Sequence, residues 1–164
     1  ANALEGVHRA GVVHGDVKPG NLLVDGRDEP WWIDFGIGSP AGAEPLDEES
    51  TSVLGTLAYL PPERFAYPPL LHDARSDVYA LGVILYHALA GQLPFDGAED
   101  TEIIAAIEFE DPVPPSLASG GEIPPALSAV VLRALEKDPS LRFQSAAELA
   151  RAVRSAIHDL EAAA

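Results

Sequence analysis

Cysteine and methionine are absent from the 164-residue sequence, and lysine occurs only at Lys18 and Lys137. Without cysteine, the chain forms no disulfide bond, no thiolate zinc site and no cysteine nucleophile. Basic residues are also scarce, because 10 lysines and arginines stand against 26 acidic residues and leave a formal net charge of −16. Since nucleic-acid binding depends on clustered lysine and arginine, this balance predicts that nucleic acid is not a partner.

Long apolar runs are missing as well. The longest one, residues 78–91, is interrupted by His87 and is shorter than the roughly 18 residues that span a bilayer. The first residues contain no basic segment followed by an apolar run, so we expect no signal peptide. We therefore predict a cytoplasmic location and no membrane segment within this chain.

Apolar residues make up 47% of the sequence, so we expect one folded domain in spite of the charge. Their spacing predicts that most of it is helical. Residues 75–90 are apolar on nearly every side, which is typical of a helix buried among other helices. The other predicted helices are residues 1–10, 100–109, 126–137 and a last helix opened by a capping box at Ser145 and Glu148, with a proline-rich connector at 111–125.

Two short strands are predicted in the first third of the chain. Residues 22–24 are apolar and precede Asp25-Gly26, a strong signal for a tight turn, and residues 31–33 form the second apolar run. The polar residues 14–21 precede this hairpin as a loop. Residues 37–60 are rich in glycine, serine, proline and acidic residues, which predicts a long loop, and loops above about 15 residues in a compact domain are usually functional or disordered.

The side chains around this hairpin suit phosphoryl transfer. That reaction needs a carboxylate to orient the attacking hydroxyl, a cation near the transferred group and magnesium to neutralise the triphosphate. Asp16 and Lys18 offer the carboxylate and the cation. Asn21 and Asp34 offer the oxygen ligands that Mg²⁺ prefers, and a hairpin of the length between them brings the two side by side.

These residues resemble the catalytic loop and metal-binding motif of kinases, with His14-Gly-Asp-Val-Lys-Pro-Gly-Asn at 14–21 and Asp-Phe-Gly at 34–36. Small-molecule kinases that modify aminoglycosides or choline share this constellation, and the His-Gly-Asp form is typical of them. Four later segments favour bacterial Hanks-type serine/threonine protein kinases instead. They are the end of an activation segment at 55–63, the start of a central helix at 77–83, the turn at 91–95 and a late loop at 137–142.

The resemblance implies a mainly α (α+β) fold, the large lobe of a protein kinase, over residues 1–164. The family's lobe is a helical bundle around one buried central helix, with a short β-hairpin at the catalytic loop, here 14–21, and an activation segment, here 34–63. The small lobe is expected to be absent, since no Gly-x-Gly-x-x-Gly loop and no further lysine for the nucleotide occur. The alternatives are a non-catalytic interaction module, a lobe completed in cis or in trans by a small lobe, and a small-molecule phosphotransferase.

By the same resemblance, ATP and Mg²⁺ are the expected cofactors, and the substrate is a serine or threonine hydroxyl of a protein. Asp16 is expected to orient that hydroxyl and Lys18 to hold the γ-phosphate. Asn21 and Asp34 are the expected metal ligands, and Leu23 the floor of the adenine site. Because half of the cleft is missing, we expect the isolated lobe to have little or no activity.

The resemblance also implies supporting roles. His14 is expected to pack against Phe35, Asp77 to brace the backbone of the catalytic loop, and Glu63 to form a buried ion pair with Arg142.

Two threonines of the expected activation segment receive roles from the family. Thr51, together with Ser50 and Ser52, lies where activating phosphorylation falls, and Thr56 is expected to bond to the catalytic aspartate and lysine. Gly15 replaces the arginine that pairs with a phosphorylated loop in many members, so we expect weak or no dependence on phosphorylation.

Overall fold

The protein is described by a computed structural model that covers residues 2–35, 39–40, 57–66 and 73–163. This part is mainly helical, as predicted. Its α-helices are α1 (Asn2–Arg9), α2 (Ala74–Ala90), α3 (Asp100–Phe109), α4 (Pro115–Ala118), α5 (Pro125–Ala134) and α6 (Ala146–Ala163). Its strands form two antiparallel pairs, β1 (Val12–Val13) with β4 (Ser39–Pro40) and β2 (Leu22–Val24) with β3 (Pro30–Trp32).

Helix α2 is deeply buried, with nine of its 17 residues inaccessible to solvent. Asp73 opens it, because the Asp73 carboxylate accepts a hydrogen bond from Arg75 N at 2.8 Å. The helix contacts α4, α5, α6 and strand β1. No helix in the described ranges is both long and apolar enough to cross a membrane.

Gly82 explains how closely α5 approaches α2. A Cβ atom at this position would lie 2.8 Å from Ala134 Cβ and 3.2 Å from Leu135 Cδ2. Glycine inside a helix costs about 1 kcal/mol relative to alanine. Glycine is needed at this position in spite of that cost, because a Cβ atom would push Ala134 of α5 away from α2.

Two apolar clusters share α2 between them. The first joins α2 to α1 and α6 through Leu4, Val78, Leu81, Phe143 and Leu149. The second joins α2 to α3 and α5 and contains Tyr79, Val83, Tyr86, Phe95, Ile103, Ile107 and Val131. Successive residues of α2 therefore face opposite clusters, which accounts for its apolar character on nearly every side.

Tyr79 is fully buried, and its hydroxyl has no hydrogen-bond partner. A buried hydroxyl without a partner costs about 1–3 kcal/mol. We therefore expect Tyr79→Phe to raise the free energy of unfolding by about 1 kcal/mol or more, measured by urea denaturation. Tyr86 is the matched control, since it is equally buried but its hydroxyl bonds to the side chain of Gln92. Tyr86→Phe should lower stability, and the same sign for both variants would contradict the prediction.

The predicted helix over 126–137 is three residues too long at its end, because α5 stops at Ala134. Arg142 holds the segment that follows this stop: Arg142 Nε donates to Glu136 O at 2.7 Å and Nη2 donates to Lys137 O at 3.0 Å. The carbonyls just after α5 are therefore satisfied by a buried guanidinium and not by a further helical turn.

Other boundaries also differ from the predictions. The connector at 111–125 contains the single-turn helix α4, which starts with proline at its first position. Ser145 Oγ does accept from Glu148 N at 3.1 Å, but Glu148 Oε2 accepts from Gln144 N rather than from Ser145 N, so only half of the predicted capping box forms. Strand β4, which pairs with β1, lies in the segment 37–60 that was predicted to be a loop.

Candidate active site

Three of the predicted site residues meet in the loop before the hairpin. Lys18 Nζ lies 2.7 Å from Asp16 Oδ2, and Asn21 Nδ2 donates to the same oxygen at 2.7 Å and to Asp16 O at 2.9 Å. A 3-10 turn over Pro19–Asn21 folds the chain back to make these contacts. The Asp16 and Lys18 side chains keep 15% and 24% of their surface exposed, so the carboxylate is accessible from solvent.

Asp34 lies at the same end of the hairpin as Asn21. Leu22 is paired with Trp32, and beyond this pair Ile33 N donates to Asn21 O at 2.9 Å. Asp34 is the next residue, is exposed, and has a left-handed φ of 59°, which aspartate tolerates better than most residues. The hairpin register therefore brings the two predicted metal ligands to one edge.

Asp77 holds the backbone at the start of the loop 14–21. Its Oδ2 accepts from His14 N at 2.9 Å and its Oδ1 accepts from Gly15 N at 2.9 Å. Gly15 has a φ of 78°, which glycine adopts without cost, and both amides can then face one carboxylate. Since Asp77 is only 1% exposed and belongs to the buried part of α2, the loop that carries Asp16 is fixed to the core.

His8 is a supporting residue that none of the sequence motifs includes. His8 Nε2 lies 2.7 Å from Asp77 Oδ2, and its side chain is 7% exposed. His8 Nδ1 has no partner, whereas Nε2 faces a carboxylate, so a proton is assigned to Nε2, which donates to Asp77. The available signal was its position four residues after buried Leu4, on the inner face of α1.

We expect His8→Ala to lower the free energy of unfolding by about 1.5–3 kcal/mol, because a hydrogen bond to a buried carboxylate is lost. Urea denaturation of the chain measures this value. His158→Ala is the control, since His158 is exposed on α6 and its removal should change stability by less than about 0.5 kcal/mol. Equal effects of the two substitutions would show that the His8 contact with Asp77 contributes nothing.

His14 contacts two rings at the base of the hairpin. Its ring centroid lies 4.5 Å from that of Phe35 and 5.7 Å from that of Trp32, the latter in an edge-on arrangement. His14 Nδ1 also accepts a hydrogen bond from Asp16 N at 3.3 Å. The histidine thus connects the backbone of Asp16 to the residue that follows Asp34.

Glu63 and Arg142 form a buried bidentate ion pair, with Nη1 to Oε1 at 2.8 Å and Nη2 to Oε2 at 2.7 Å. Ser76 Oγ donates to Glu63 Oε1 at 2.8 Å. Burial by itself raises the pKa of the Glu63 carboxyl, but the hydrogen bonds and charge of Arg142 outweigh it and leave the pKa below its ordinary value. The pair therefore stays charged at neutral pH.

For the remaining predicted residues, the structure describes no contact with this cluster. Leu23 is 53% exposed on β2. Thr51, Thr56 and Gly36 lie outside the described residues. Their predicted roles therefore stay predictions.

The cluster suits a magnesium ion held partly by a nucleotide. Both Asn21 Nδ2 contacts point to Asp16, which leaves Asn21 Oδ1 as the amide atom for a metal. Among the described residues, no three His, Asp or Glu side chains gather as a complete protein cage for a metal. Mg²⁺ is usually bound by one or two carboxylates together with substrate phosphates, so Asn21 and Asp34 fit this ion.

Comparisons with known proteins identify the family. Residues 1–153 match the family model described as "Protein kinase domain". The chain belongs to the protein kinase domain family. It is similar to serine/threonine-protein kinase PknD of Mycobacterium tuberculosis, with 40% identity over 96% of this chain and 23% of that protein. It is also similar to PknB of Mycobacterium leprae, at 40% over 90% of this chain and 23% of that kinase, and to PknB of Mycolicibacterium smegmatis, at 40% over 98% and 25%. The chain thus spans about a quarter of the length of these kinases.

Proposed function

We propose that residues 1–164 are the large lobe of a bacterial serine/threonine protein kinase, with its catalytic loop at 14–21 and its activation segment at 34–63. In the complete enzyme, this lobe serves the transfer of the γ-phosphoryl group of Mg-ATP to serine or threonine hydroxyls of proteins. The buried helix α2 is its central helix, around which the other helices pack. The relatives named serine/threonine-protein kinases support this assignment.

The contact of Lys18 and Asn21 with one oxygen of Asp16 carries the proposal. Asp16 accepts the proton of the substrate hydroxyl and orients that hydroxyl for attack. Lys18 lies within reach of the same carboxylate, so its charge is placed beside the group being transferred. Asn21 and Asp34 would hold the metal with their oxygens, and a bound Mg²⁺ would supply positive charge to neutralise the phosphates.

We propose that this chain alone is inactive or weakly active, because it supplies one wall of the nucleotide cleft. The hairpin supports this view, since Leu23, Val24 and Trp31 are 53%, 61% and 60% exposed. Phosphoryl transfer depends on positioning and on electrostatics in a site that excludes water, and one wall excludes little. A small lobe in cis or in trans would cover this surface.

The exposed hairpin also favours a second candidate, a non-catalytic lobe that acts as an interaction module. Such a module uses the same apolar surface to bind a partner and requires neither nucleotide nor metal. The two functions differ in whether Mg²⁺ and ATP bind.

Calorimetric titration with ATP, with and without Mg²⁺, separates them. We expect weak or undetectable binding by the chain alone and Mg²⁺-dependent binding after addition of a separately produced small lobe of a bacterial serine/threonine kinase. Asp34→Ala should abolish that binding. Asp28→Ala, in the turn of the same hairpin, should not change it.

Two results contradict the catalytic proposal. Absence of Mg²⁺-dependent binding with or without the small lobe leaves only the interaction module. Equal loss of binding in the Asp34 and Asp28 variants excludes a specific role of Asp34 in holding the metal.

A further inference from the structure

A cavity of about 200 Å³ lies where α3 ends and α5 passes into the following loop. It is lined by Asp111, Pro112, Leu132, Leu135, Glu136 and Lys137. The leucines and the proline supply apolar walls, while the carboxylates belong to exposed residues. None of these residues belongs to the candidate active site.

The cavity is predominantly acidic. The Lys137 ammonium is already engaged by other groups. Its Nζ donates to Ile107 O and, at 3.3 Å, to Ala106 O, and it lies 3.9 Å from the centre of the Phe95 ring. Burial lowers the pKa of Lys137 to about 8, against the opposing charges of Asp111 and Glu110. Among the residues that line the cavity, one lysine that is already hydrogen-bonded stands against two carboxylates, those of Asp111 and Glu136.

Exposed apolar side chains flank the cavity along the chain. Phe109 stands two residues before Asp111 and is 80% exposed, and Val113 follows Pro112 and is 54% exposed. Exposed apolar side chains that lie this close together, beside a cavity, are the kind of surface that contacts a partner. Phe109 and Val113 thus place exposed apolar surface on both sides of the cavity residues Asp111 and Pro112 along the chain.

We propose that this surface, defined by Phe109, Asp111, Val113 and Glu136, is the docking site for a basic segment of a protein partner. An arginine or lysine of the segment enters the cavity, with its stem on Leu132 and its charge at the carboxylates. An apolar neighbour of that residue packs on Phe109.

The net charge of the chain favours a basic segment as the partner at this surface. With a formal net charge of −16, a second copy of the chain is repelled, whereas a basic segment is attracted over a distance. A purely apolar helix would leave the carboxylates of the cavity without partners and pay for their desolvation. The occupant is therefore both basic and partly apolar.

Binding of labelled peptides to the full chain, followed by fluorescence anisotropy at physiological salt, tests the proposal. The probe is a short peptide that alternates arginine with leucine. A peptide with serine in place of leucine and one with glutamate in place of arginine are the comparisons. We expect saturable binding of the first peptide that exceeds that of the other two.

Variants locate the binding surface. Phe109→Ala, and Asp111→Asn combined with Glu136→Gln, should each weaken binding about tenfold, the loss typical of an important interface residue. Asp159→Asn combined with Glu161→Gln removes the same number of charges from the exposed face of α6 and should leave binding unchanged. All of these substitutions change exposed side chains, and circular dichroism melts should be superimposable.

Three outcomes overturn the proposal. If the α6 variant weakens binding as much as the cavity variant, the peptide senses only the overall charge. If none of the peptides binds, the surface has no basic partner. If sedimentation shows self-association that Phe109→Ala abolishes, a second copy of the chain occupies the surface instead.

Discussion

Arg142→Ala is expected to lower the free energy of unfolding by about 3–5 kcal/mol, a large share of the stability of a domain of this size. Arg142 is fully buried, and its removal leaves the Glu63 carboxylate in the interior without its cation. The loss comes mainly from this uncompensated charge, because an intact buried pair contributes little beyond the cost of burying it. Urea denaturation measures the difference.

Arg142 also holds three segments together through backbone carbonyls. Nη1 donates to Arg75 O at 3.2 Å at the start of α2, and Nε and Nη2 donate to Glu136 O and Lys137 O after α5. Alanine leaves these carbonyls unsatisfied as well, so the loss should lie near the upper end of the range. Arg142→Lys should recover only part of it, since an ammonium cannot make the bidentate contact.

The pH dependence gives this prediction a second readout. Because the pKa of folded Glu63 lies below its ordinary value of 4.5, the stability contributed by the carboxylate is present above that value and is lost as pH falls through the folded pKa. In Arg142→Ala, buried Glu63 is stabilised by protonation instead. The stability gap between the two proteins should therefore narrow as the solution is acidified.

Arg9→Ala is the control for Arg142→Ala. Arg9 also pairs with a glutamate, Glu5 at 3.1 Å, but its side chain is 77% exposed. Exposed pairs contribute about 0–1 kcal/mol, so this variant should be nearly as stable as the parent chain. A loss at Arg142 no larger than at Arg9, or a gap that is independent of pH, contradicts the prediction.

The helices were predictable because their apolar spacing and their buried faces follow the same period. Residues 75–90 are apolar on nearly every side, and the two clusters that share α2 require this composition. The end of α5 was not predictable in this way. The residues just after that end are held by Arg142, which lies outside the helix and donates to the carbonyls of Glu136 and Lys137.

The candidate site was predictable where its residues are close in sequence. Asp16, Lys18 and Asn21 belong to one loop, so their spacing alone places them within contact distance. His8 and Asp77 are 69 residues apart, and no local pattern connects a helix residue to a carboxylate of another helix. Such a pair can be predicted only when the position of α1 relative to α2 is known.

Asp16→Asn is expected to reduce phosphoryl transfer by about 10²–10⁴-fold, the contribution typical of a positioned general base. The measurement uses a polypeptide that joins this chain to a kinase small lobe, with transfer of labelled phosphate to a protein substrate. Asparagine keeps the size of aspartate but cannot accept the proton of the hydroxyl. It also removes the negative charge 2.7 Å from Lys18 Nζ, so the ammonium loses the partner that positions it.

Asp28→Asn is the matched control, because it makes the same chemical change in the turn of the neighbouring hairpin. Asp28 has a left-handed φ of 61°, which asparagine also tolerates, so the fold should not change. Mg-ATP binding should be retained in both variants, since the proposed metal ligands, Asn21 and Asp34, are intact. If Asp16→Asn transfers phosphate as fast as Asp28→Asn, Asp16 is not the base, and the contact with Lys18 and Asn21 serves only to fold the loop.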